Sequence, residues 1–203
     1  MNAMSGDTPI THLLYLHGFR SSPQSAKARH MAGVIAAYPQ VRWWCPQLPP
    51  SPRAAAALIA EGTRDWPDGF AVMGSSLGGF YATWLAAQRP CRAVLINPAV
   101  FPARDLARHI GAQTAWHDPS QSFYFEPHFV AELQALEVGA LPAPERVLAL
   151  IAKGDEVLDW REMTARYPGA QQVVLEGGDH ALSDFAAHVP RVLAFLGLGA
   201  SVA

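Results

Sequence analysis

The chain has 203 residues, half of them hydrophobic and 16% charged, and its formal net charge is −2. This length is sufficient for one folded domain with a sizeable core, and the composition excludes an intrinsically disordered chain. The 13 arginines and two lysines are scattered singly, without the basic patch that a nucleic-acid partner would require.

The N-terminus, MNAMSGDTPI, has neither the basic residues nor the apolar run of a secretory signal. The longest apolar stretches fall well short of the roughly 18 residues that indicate a membrane span. We therefore expect a cytoplasmic protein without a membrane partner. Cys45 and Cys91 are expected to be buried free thiols rather than a disulfide.

Along most of the chain, short apolar runs alternate with longer stretches of helical spacing. The predicted strands lie in HLLYLHG, VRWWCP, FAVMG, RAVLINP, RVLALIAKGDE and AQQVVLEGGDH, in chain order. The predicted helices lie in SAKARHMAGVIAAY, SPRAAAALIAEGTRDW, LGGFYATWLAAQ, WREMTARY and the terminal segment 184–198, which Pro190 would start or kink. This alternation predicts an α/β fold with a mostly parallel sheet of about six strands and helices on both faces.

The segment 101–144 interrupts this alternation between the fourth and fifth strands. It contains no convincing strand and two expected helices, which flank the aromatic and histidine-rich stretch WHDPSQSFYFEPHF. The segment must pass over the carboxyl edge of the sheet, where open α/β sheets bind their ligands. We therefore predict one domain over 1–203, in which 101–144 forms a small cap.

The stretch Gly74-Ser75-Ser76-Leu77-Gly78 lies between a predicted strand and a predicted helix. It matches the Gly-x-Ser-x-Gly pattern of a nucleophile elbow, centred on Ser76. The turn from strand to helix is so sharp that the serine is held in a strained backbone conformation, and side chains two residues away on either side would collide. The pattern therefore predicts that Ser76 is a nucleophile.

Ser75 is the competing serine, but a motif centred on it would need a glycine in place of Met73. We expect Ser75 to be a small, partly buried neighbour of the nucleophile. The alternative for the whole stretch is a tight turn, rich in small residues, that has no catalytic role.

A serine hydroxyl needs a neighbouring base, and in this strand–turn–helix arrangement the chain order is serine, acid, histidine. Asp155 directly follows the fifth predicted strand and His180 follows the sixth, so both would emerge at the same sheet edge as Ser76. We predict His180 as the base and Asp155 as the acid. Asp159 is a second candidate for the acid, or the N-cap of the following helix, and Asp179 would point away from the site.

An oxyanion hole requires two hydrogen-bond donors at the position where negative charge develops. We expect the backbone amide of Leu77, which follows the nucleophile, and that of Phe19, in the loop after the first strand. His17 is expected at the pocket wall as a hydrogen-bonded structural residue rather than a base. Arg20 is expected either to line the pocket mouth, where it would attract anionic substrates, or to be a solvated loop residue.

The aromatic side chains of the 101–144 segment are candidates for lining an acyl pocket. They are Trp116, Phe123, Tyr124, Phe125 and Phe129. At least half of them are expected to form the core of the segment instead.

The same segment contains residue types that can bind metals. They are His117, Asp118, Glu126 and His128, but their spacing matches no standard metal signature. We therefore expect a protein that uses neither a metal nor a cofactor.

With the motifs YLHGF, GSSLGG, NPAV, GDEVLDW and EGGDHA in this order, the chain resembles the YqiA-like esterase family of small α/β-hydrolases, from Leu13 to about Leu196. GxSxG alone is a weak signal, whereas the ordered set is specific. The resemblance implies a compact α/β-hydrolase core without the first antiparallel strands of larger members. It also implies hydrolysis of carboxylic esters or acyl thioesters with Ser76, Asp155 and His180.

These residues together predict a serine hydrolase that acts on small-molecule acyl esters, or on thioesters such as acyl-CoA, through an acyl-enzyme. Two alternatives stay open. One is another acyl transfer or a carbon–carbon hydrolysis on the same three residues, and the other is a non-catalytic binding protein on a hydrolase scaffold. The complete set of serine, histidine and aspartate favours an enzyme, because a binding protein has no need of it.

Overall fold

The computed structural model describes residues 8–116, 118 and 120–199. In chain order its strands and helices are β1 (His12–Leu16), α1 (Ala26–Ile35), β2 (Arg42–Trp44), α2 (Pro52–Thr63), β3 (Ala71–Ser75), α3 (Leu77–Gln88), β4 (Arg92–Ile96), α4 (Pro102–Leu106), β5 (Gly111–Thr114), β6 (Ser122–Phe125), α5 (Pro127–Ala135), β7 (Val147–Ala152), α6 (Trp160–Arg166), β8 (Gln171–Leu175) and α7 (Val189–Phe195). Short 3-10 turns cover Ala107–His109, Pro144–Arg146 and Phe185–His188.

Six strands form one fully parallel sheet in the order β2-β1-β3-β4-β7-β8. All six coincide with predicted strands, so the expected α/β class and the strand number are confirmed. The strands β1, β3, β4 and β7 form the centre, and almost every residue in them is buried. Parallel strands that are covered on both faces need continuous apolar runs, which is why the sequence pattern predicts them well.

Alternate residues of each central strand point to opposite faces of the sheet. In β1, Leu14 and Leu16 pack into one core, together with side chains of α2, α3, α5 and α6. Leu13 and Tyr15 pack into the other core, together with side chains of α1 and α7. The predicted placement of helices on both faces is therefore confirmed.

The C-terminal helix is shorter than the predicted segment 184–198. A 3-10 turn precedes α7, and Pro190 lies in the first turn of the helix, where a missing amide hydrogen removes no intrahelical bond. Pro190 therefore starts this helix and does not kink it.

The 101–144 segment contains a structure that the sequence pattern did not indicate. The two expected helices are present as α4 and α5, but between them β5 and β6 form an antiparallel hairpin. The expectation of no strand was therefore wrong. The sequence pattern did not indicate these strands because they have only 4 residues each and β5, GAQT, has no large apolar side chain. The hairpin gains its packing from elsewhere in the chain, since Phe123 and Phe125 of β6 lie edge-on to the ring of Phe19, in the loop after β1.

No helix among residues 8–116, 118 and 120–199 is long and apolar enough to cross a bilayer. The longest helices of this part, α2 and α3, have 12 residues each, whereas a span needs about 20. Residues 1–7, in which we predict no secretory signal, lie outside the described part of the chain.

Candidate active site

Ser76 lies at the sharp turn between β3 and α3, and Ser75 is buried at the end of β3. The backbone of Ser76 adopts φ 55° and ψ −121°, a strained conformation of the kind that functional sites hold. A Cβ atom on Gly74 would lie 2.1 Å from the carbonyl oxygen of Gly78, and one on Gly78 would lie 2.0 Å from that of Leu16. The turn therefore needs glycine at both positions, the second because α3 begins close to β1.

A continuous hydrogen-bonded chain joins three of the predicted site residues. Ser76 Oγ lies 3.1 Å from His180 Nε2, and His180 Nδ1 lies 2.8 Å from Asp155 Oδ2. Because a carboxylate only accepts, Nδ1 carries the proton and Nε2 is left to accept from the serine hydroxyl. The Asp155 side chain is 0% exposed and the His180 side chain is 22% exposed. The arrangement can take a proton from Ser76 and hold the positive charge that results on His180.

The loops of Asp155 and His180 touch each other at the carboxyl edge of the sheet. A Cβ atom on Gly154 would lie 2.3 Å from the carbonyl oxygen of Gly178, so the two loops are in backbone contact. Asp155 Oδ1 accepts hydrogen bonds at 2.8 Å from the amides two and three residues further along the chain. Both oxygens of the carboxylate are therefore held, which fixes its orientation toward the imidazole.

The other candidate aspartates are engaged elsewhere. Asp159 caps α6 and accepts a hydrogen bond from the amide two residues later at 2.9 Å. Asp179 accepts from the amide and the hydroxyl of Ser183 at 2.8 and 2.6 Å, and these bonds lower its pKa. Of these three aspartates, the structure brings only Asp155 to the imidazole of His180.

The loop after β1 lies directly against the elbow. A Cβ atom on Gly18 would lie 3.2 Å from Ser76 Cβ and 3.3 Å from the carbonyl oxygen of Ser75. Phe19 follows in this loop, and Leu77 is the first residue of α3. Among the described residues, no backbone bond of a turn or loop engages the amide of Phe19 or of Leu77, and Leu77, as the first residue of α3, has no intrahelical acceptor for its amide. Both amides therefore stay the predicted donors of the oxyanion hole.

A cavity of about 440 Å³ opens beside the elbow and is bordered by Gly18 and Leu77. Its apolar and aromatic lining includes Phe19, Leu48, Tyr81 and Phe123. Among the described lining residues, Arg20 is the only one with a permanent charge. Such a volume and lining suit a small and largely apolar ligand.

The predicted pocket residues of β6 occupy three different places. Phe123 lines the cavity, whereas Phe125 is 1% exposed and packs in the core against Phe19 and Phe129. Tyr124 lies between them on the other side of the hairpin and is 53% exposed, because successive strand residues alternate in direction. The expectation that Tyr124 and Phe125 line the pocket was therefore wrong.

Arg20 fastens the loop after β1 to the hairpin. Its Nε and Nη2 donate to the carbonyl oxygen and the hydroxyl of Thr114 at 2.6 and 2.9 Å. The guanidinium carbon lies 4.0 Å from the ring centroid of Trp116, whose amide donates to the Arg20 carbonyl at 2.8 Å. Trp116 is 69% exposed and lies outside the cavity lining, so its expected place in the pocket was wrong: its ring covers Arg20 instead.

His17 is buried and joins the loops after β1 and β2. Its Nε2 lies 3.0 Å from the amide nitrogen of Leu48, and its Nδ1 lies 3.0 Å from the carbonyl oxygen of Gly18. Since the amide can only donate, Nε2 accepts and the Nδ1 hydrogen is donated to Gly18. His17 also lines the cavity, and the hydrogen bonds give it the structural role that we expected.

Sequence reasoning missed two contributions to the site. The loop after β2 supplies Gln47, Leu48, Pro49 and Pro50 to the cavity lining. The sequence could have indicated that this loop borders the site, because the carboxyl ends of all parallel strands meet at one edge of the sheet. Asn97, in the NPAV motif after β4, is fully buried and donates a hydrogen bond to the loop that holds His180.

Thiols and metal ligands are the other groups that could carry chemistry. Cys45 and Cys91 are both free, and burial raises their pKa values to about 11 and about 12, so neither forms a thiolate near neutral pH. In the part of the chain that the structure describes, no three His, Cys, Asp or Glu side chains are grouped so as to hold a metal ion. His117, one of the four possible metal ligands noted in the 101–144 segment, lies outside the residues that the structure describes.

Solved structures share this fold at low sequence identity. Alpha/beta hydrolase domain-containing protein 10 from mouse is similar with a TM-score of 0.69 and 14% identity, over 92% of this chain and 91% of that one. A structure of the metagenome-derived lipolytic enzymes LipS and LipT is similar with a TM-score of 0.67 and 20% identity, over 94% of this chain and 95% of that one. Est1E from Butyrivibrio proteoclasticus, with ferulic acid bound, is similar with a TM-score of 0.66 and 13% identity, over 92% of this chain and 87% of that one. These similarities show that the chain has the α/β-hydrolase fold.

A family model matches residues 12–197 and therefore covers the elbow, Asp155 and His180 together. The match extends over nearly the same residues as the resemblance that the five motifs carry. The chain belongs to the uncharacterised protein family UPF0227, the YqiA-like family.

Proposed function

We propose that the protein is a serine hydrolase that cleaves small-molecule carboxylic esters. The observation that carries this proposal is the hydrogen-bonded chain from Ser76 through His180 to the buried Asp155. Such a chain turns a weakly nucleophilic hydroxyl into an effective nucleophile, because the base takes its proton during attack. Ligand binding alone would need no part of it.

In the acylation step, Ser76 Oγ attacks the acyl carbon while its proton passes to His180 Nε2. Asp155 stabilises the imidazolium that forms. The carbonyl oxygen becomes negative, and we assign its stabilisation to the amides of Leu77 and Phe19. Leu77 begins α3, so the positive end of the helix dipole adds to this field. The carbonyl then re-forms as the bond between the acyl carbon and the alcohol oxygen breaks, His180 donates its proton to that oxygen, and the acyl group stays on Ser76.

In the deacylation step, His180 Nε2 accepts a proton from water as the water oxygen attacks the acyl carbon. The carbon–oxygen bond to Ser76 breaks, and His180 returns the proton to the serine oxygen. The products are a carboxylic acid and the free enzyme. This scheme uses only side chains and backbone amides of the protein and no cofactor.

The cavity supports a small substrate with an apolar group next to the reacting carbonyl. Phe19, Leu48 and Phe123 offer apolar surface within about 440 Å³. The lipolytic enzymes among the structural neighbours favour an ester bond as the target. Acyl thioesters would react through the same steps, so they form a second arm of the test.

The test is steady-state hydrolysis of p-nitrophenyl esters of increasing acyl length, with acyl-CoA thioesters as the second series. We expect turnover by the wild type and a loss of at least about 10³-fold in kcat/KM for Ser76→Ala. Ser75→Ala is the matched control, because it removes the adjacent hydroxyl, and it should keep wild-type activity. A folded wild type that hydrolyses none of these compounds, or equal losses in both variants, would contradict the proposal.

A further inference from the structure

Asn97 is a buried polar residue that the proposed mechanism does not use. It follows the last residue of β4, is 0% exposed, and has φ 39°, in the left-handed region that asparagine tolerates better than most residues. Its amide donates to the carbonyl oxygen of Leu150 at 2.9 Å. The residue is therefore still bonded to β7 at the point where the chain turns away toward Pro98.

The side-chain oxygen of Asn97 reaches the end of the strand that leads to Asp155. Oδ1 accepts a hydrogen bond from the amide of Ala152, the last residue of β7, at 2.8 Å. In a continued parallel strand a backbone carbonyl would accept this bond. The amide of Asp155 in turn donates to the carbonyl oxygen of Ala152 at 3.2 Å. Asn97 thus fixes the point at which the loop of Asp155 leaves the sheet.

The side-chain nitrogen of Asn97 reaches the loop of His180. Nδ2 donates to the carbonyl oxygens of Asp179 and His180 at 3.0 and 3.2 Å. On its other side, the amide of His180 donates to Glu156 Oε2 at 2.9 Å. The backbone of His180 is therefore held between a side chain at the end of β4 and a side chain in the loop of Asp155.

We propose that Asn97 is a positioning residue that sets the place of the His180 imidazole between Ser76 and Asp155, an inference that rests on the proposed hydrolase function. A carboxamide suits this place because it offers an acceptor to one amide and two donors to two carbonyl groups. A carboxylate lacks the donors, and an apolar side chain lacks donors and acceptor alike. The 3.1 Å contact between Ser76 and His180 thus depends on a residue that is not part of the cavity lining.

Loss of these bonds should lower kcat while KM stays close to its wild-type value. A displaced imidazole slows the proton transfers, and a misplacement of about 1 Å can reduce the rate by about 10²-fold. The substrate, in contrast, binds against cavity walls that Asn97 does not form. A residue that merely stabilised the fold would change the folded fraction and would leave the rate per active site unchanged.

Two variants separate the contacts of Asn97. Asn97→Asp keeps the size and the acceptor for Ala152 but removes both donors to the loop of His180. Asn97→Gly tolerates the positive φ and removes the whole side chain. Thr83→Val is the matched control, because Thr83 is also buried and its hydroxyl bonds Gly79 and Tyr167, at 2.8 and 2.9 Å, rather than either loop.

The measurements are kcat and KM per titrated active site, the second-order rate constant of fluorophosphonate labelling, and thermal unfolding. We expect both Asn97 variants to lose about 10-fold to 100-fold in kcat and in labelling rate, with Thr83→Val lowering the unfolding temperature alone. If the glycine variant does not fold, the aspartate variant decides. The inference would be overturned if folded Asn97→Asp kept the wild-type kcat and labelling rate. It would also be overturned if Thr83→Val lost as much kcat as the Asn97 variants. A wild type without turnover or labelling would instead overturn the proposed hydrolase function.

Discussion

At the residue scale, the site depends on one strained backbone position. Ser76 has φ 55°, where a residue other than glycine costs of order 1–3 kcal/mol. Hydrogen bonds around the residue offset this strain: its amide donates to Ile96 at 3.0 Å, and its carbonyl oxygen accepts from Gly79 and Ala99 at 2.8 and 3.0 Å. The hydroxyl is therefore presented at a fixed point, and the groups placed around it decide its reactivity.

The acid of the proposed triad is tested by a pair of aspartate variants. Asp155→Asn should lower kcat by about 10³-fold to 10⁴-fold, because an asparagine can favour the wrong imidazole tautomer and cannot stabilise the imidazolium. Asp159→Asn should leave kcat unchanged, because asparagine caps a helix as well as aspartate does. Ester turnover by the two variants measures the difference. A larger loss in Asp159→Asn would transfer the role to that residue.

At the scale of elements, the hairpin of β5 and β6 forms one wall of the cavity and supports the loop after β1. Phe123 and Phe125 of β6 lie edge-on to Phe19, with ring centroids 5.8 and 5.4 Å apart. Arg20, the next residue in that loop, is bonded to the end of β5. The hairpin therefore contributes both to the shape of the cavity and to the position of the Phe19 amide.

Two neighbouring residues of β6 test whether this wall limits the substrate. Phe123→Ala should enlarge the cavity and shift the preferred acyl length upward, reducing discrimination between neighbouring chain lengths by about tenfold. Tyr124→Ala is the matched control, because Tyr124 is exposed on the other side of the same strand. Values of kcat/KM across p-nitrophenyl esters of increasing length measure the shift. Identical length profiles for the two variants would show that the cavity does not hold the acyl group.

A second link between elements joins α5 to the start of α2. Glu132 Oε2 of α5 accepts hydrogen bonds from Ser51 Oγ at 2.7 Å and from the Arg53 amide at 3.1 Å. Ser51 caps α2, and Pro49 and Pro50 directly before it line the cavity. The carboxylate therefore holds another wall of the cavity against α5.

The Glu132 link predicts a dependence of stability on pH. Burial alone would raise the pKa of Glu132, but hydrogen bonds from Ser51 and the Arg53 amide, with the charge of Arg53, outweigh burial and lower it. A carboxyl group with a lowered folded-state pKa stabilises the protein above its unfolded pKa of about 4.3, and this contribution is lost as pH falls through the folded value. Glu132→Gln should therefore lower the free energy of unfolding by about 1–2 kcal/mol at pH 7.

Urea unfolding at neutral and at acidic pH measures this effect. The difference in the free energy of unfolding between the wild type and Glu132→Gln should shrink as pH falls below about 4, where the carboxyl group is protonated in the unfolded chain. Glu145→Gln, at an exposed glutamate, is the control and should change stability at neither pH. A difference that stays constant with pH would contradict an ionised Glu132 as the link.

At the scale of the whole molecule, local patterns predicted the central sheet and the triad candidates. The four central strands, β1, β3, β4 and β7, are nearly continuous apolar runs because they are buried on both faces. The elbow at Ser76 is recognisable because its turn requires glycine at fixed positions. Asp155 and His180 could be expected near it because parallel strands end at one edge of the sheet, and the structure brings all three side chains within hydrogen-bond distance.

The features that the sequence did not indicate depend on packing between distant parts of the chain. The strands β5 and β6 are short, and their aromatic side chains pack on Phe19, far away in sequence. The register of the hairpin decides that Phe123 faces the cavity and Tyr124 faces outward, so composition alone could not separate them. The side chain of Asn97 forms hydrogen bonds with Ala152 and Asp179, which are distant in sequence, so no local sequence pattern could predict them.

The most direct test of the proposed serine hydrolase is covalent labelling with a fluorophosphonate, followed by intact mass measurement and peptide mapping. We predict a single adduct per chain, located on Ser76, with none formed in Ser76→Ala and slower formation in Asp155→Asn. Ser75→Ala should be labelled like the wild type. A folded wild-type protein that forms no adduct, or an adduct that maps to a residue other than Ser76, would contradict the assignment.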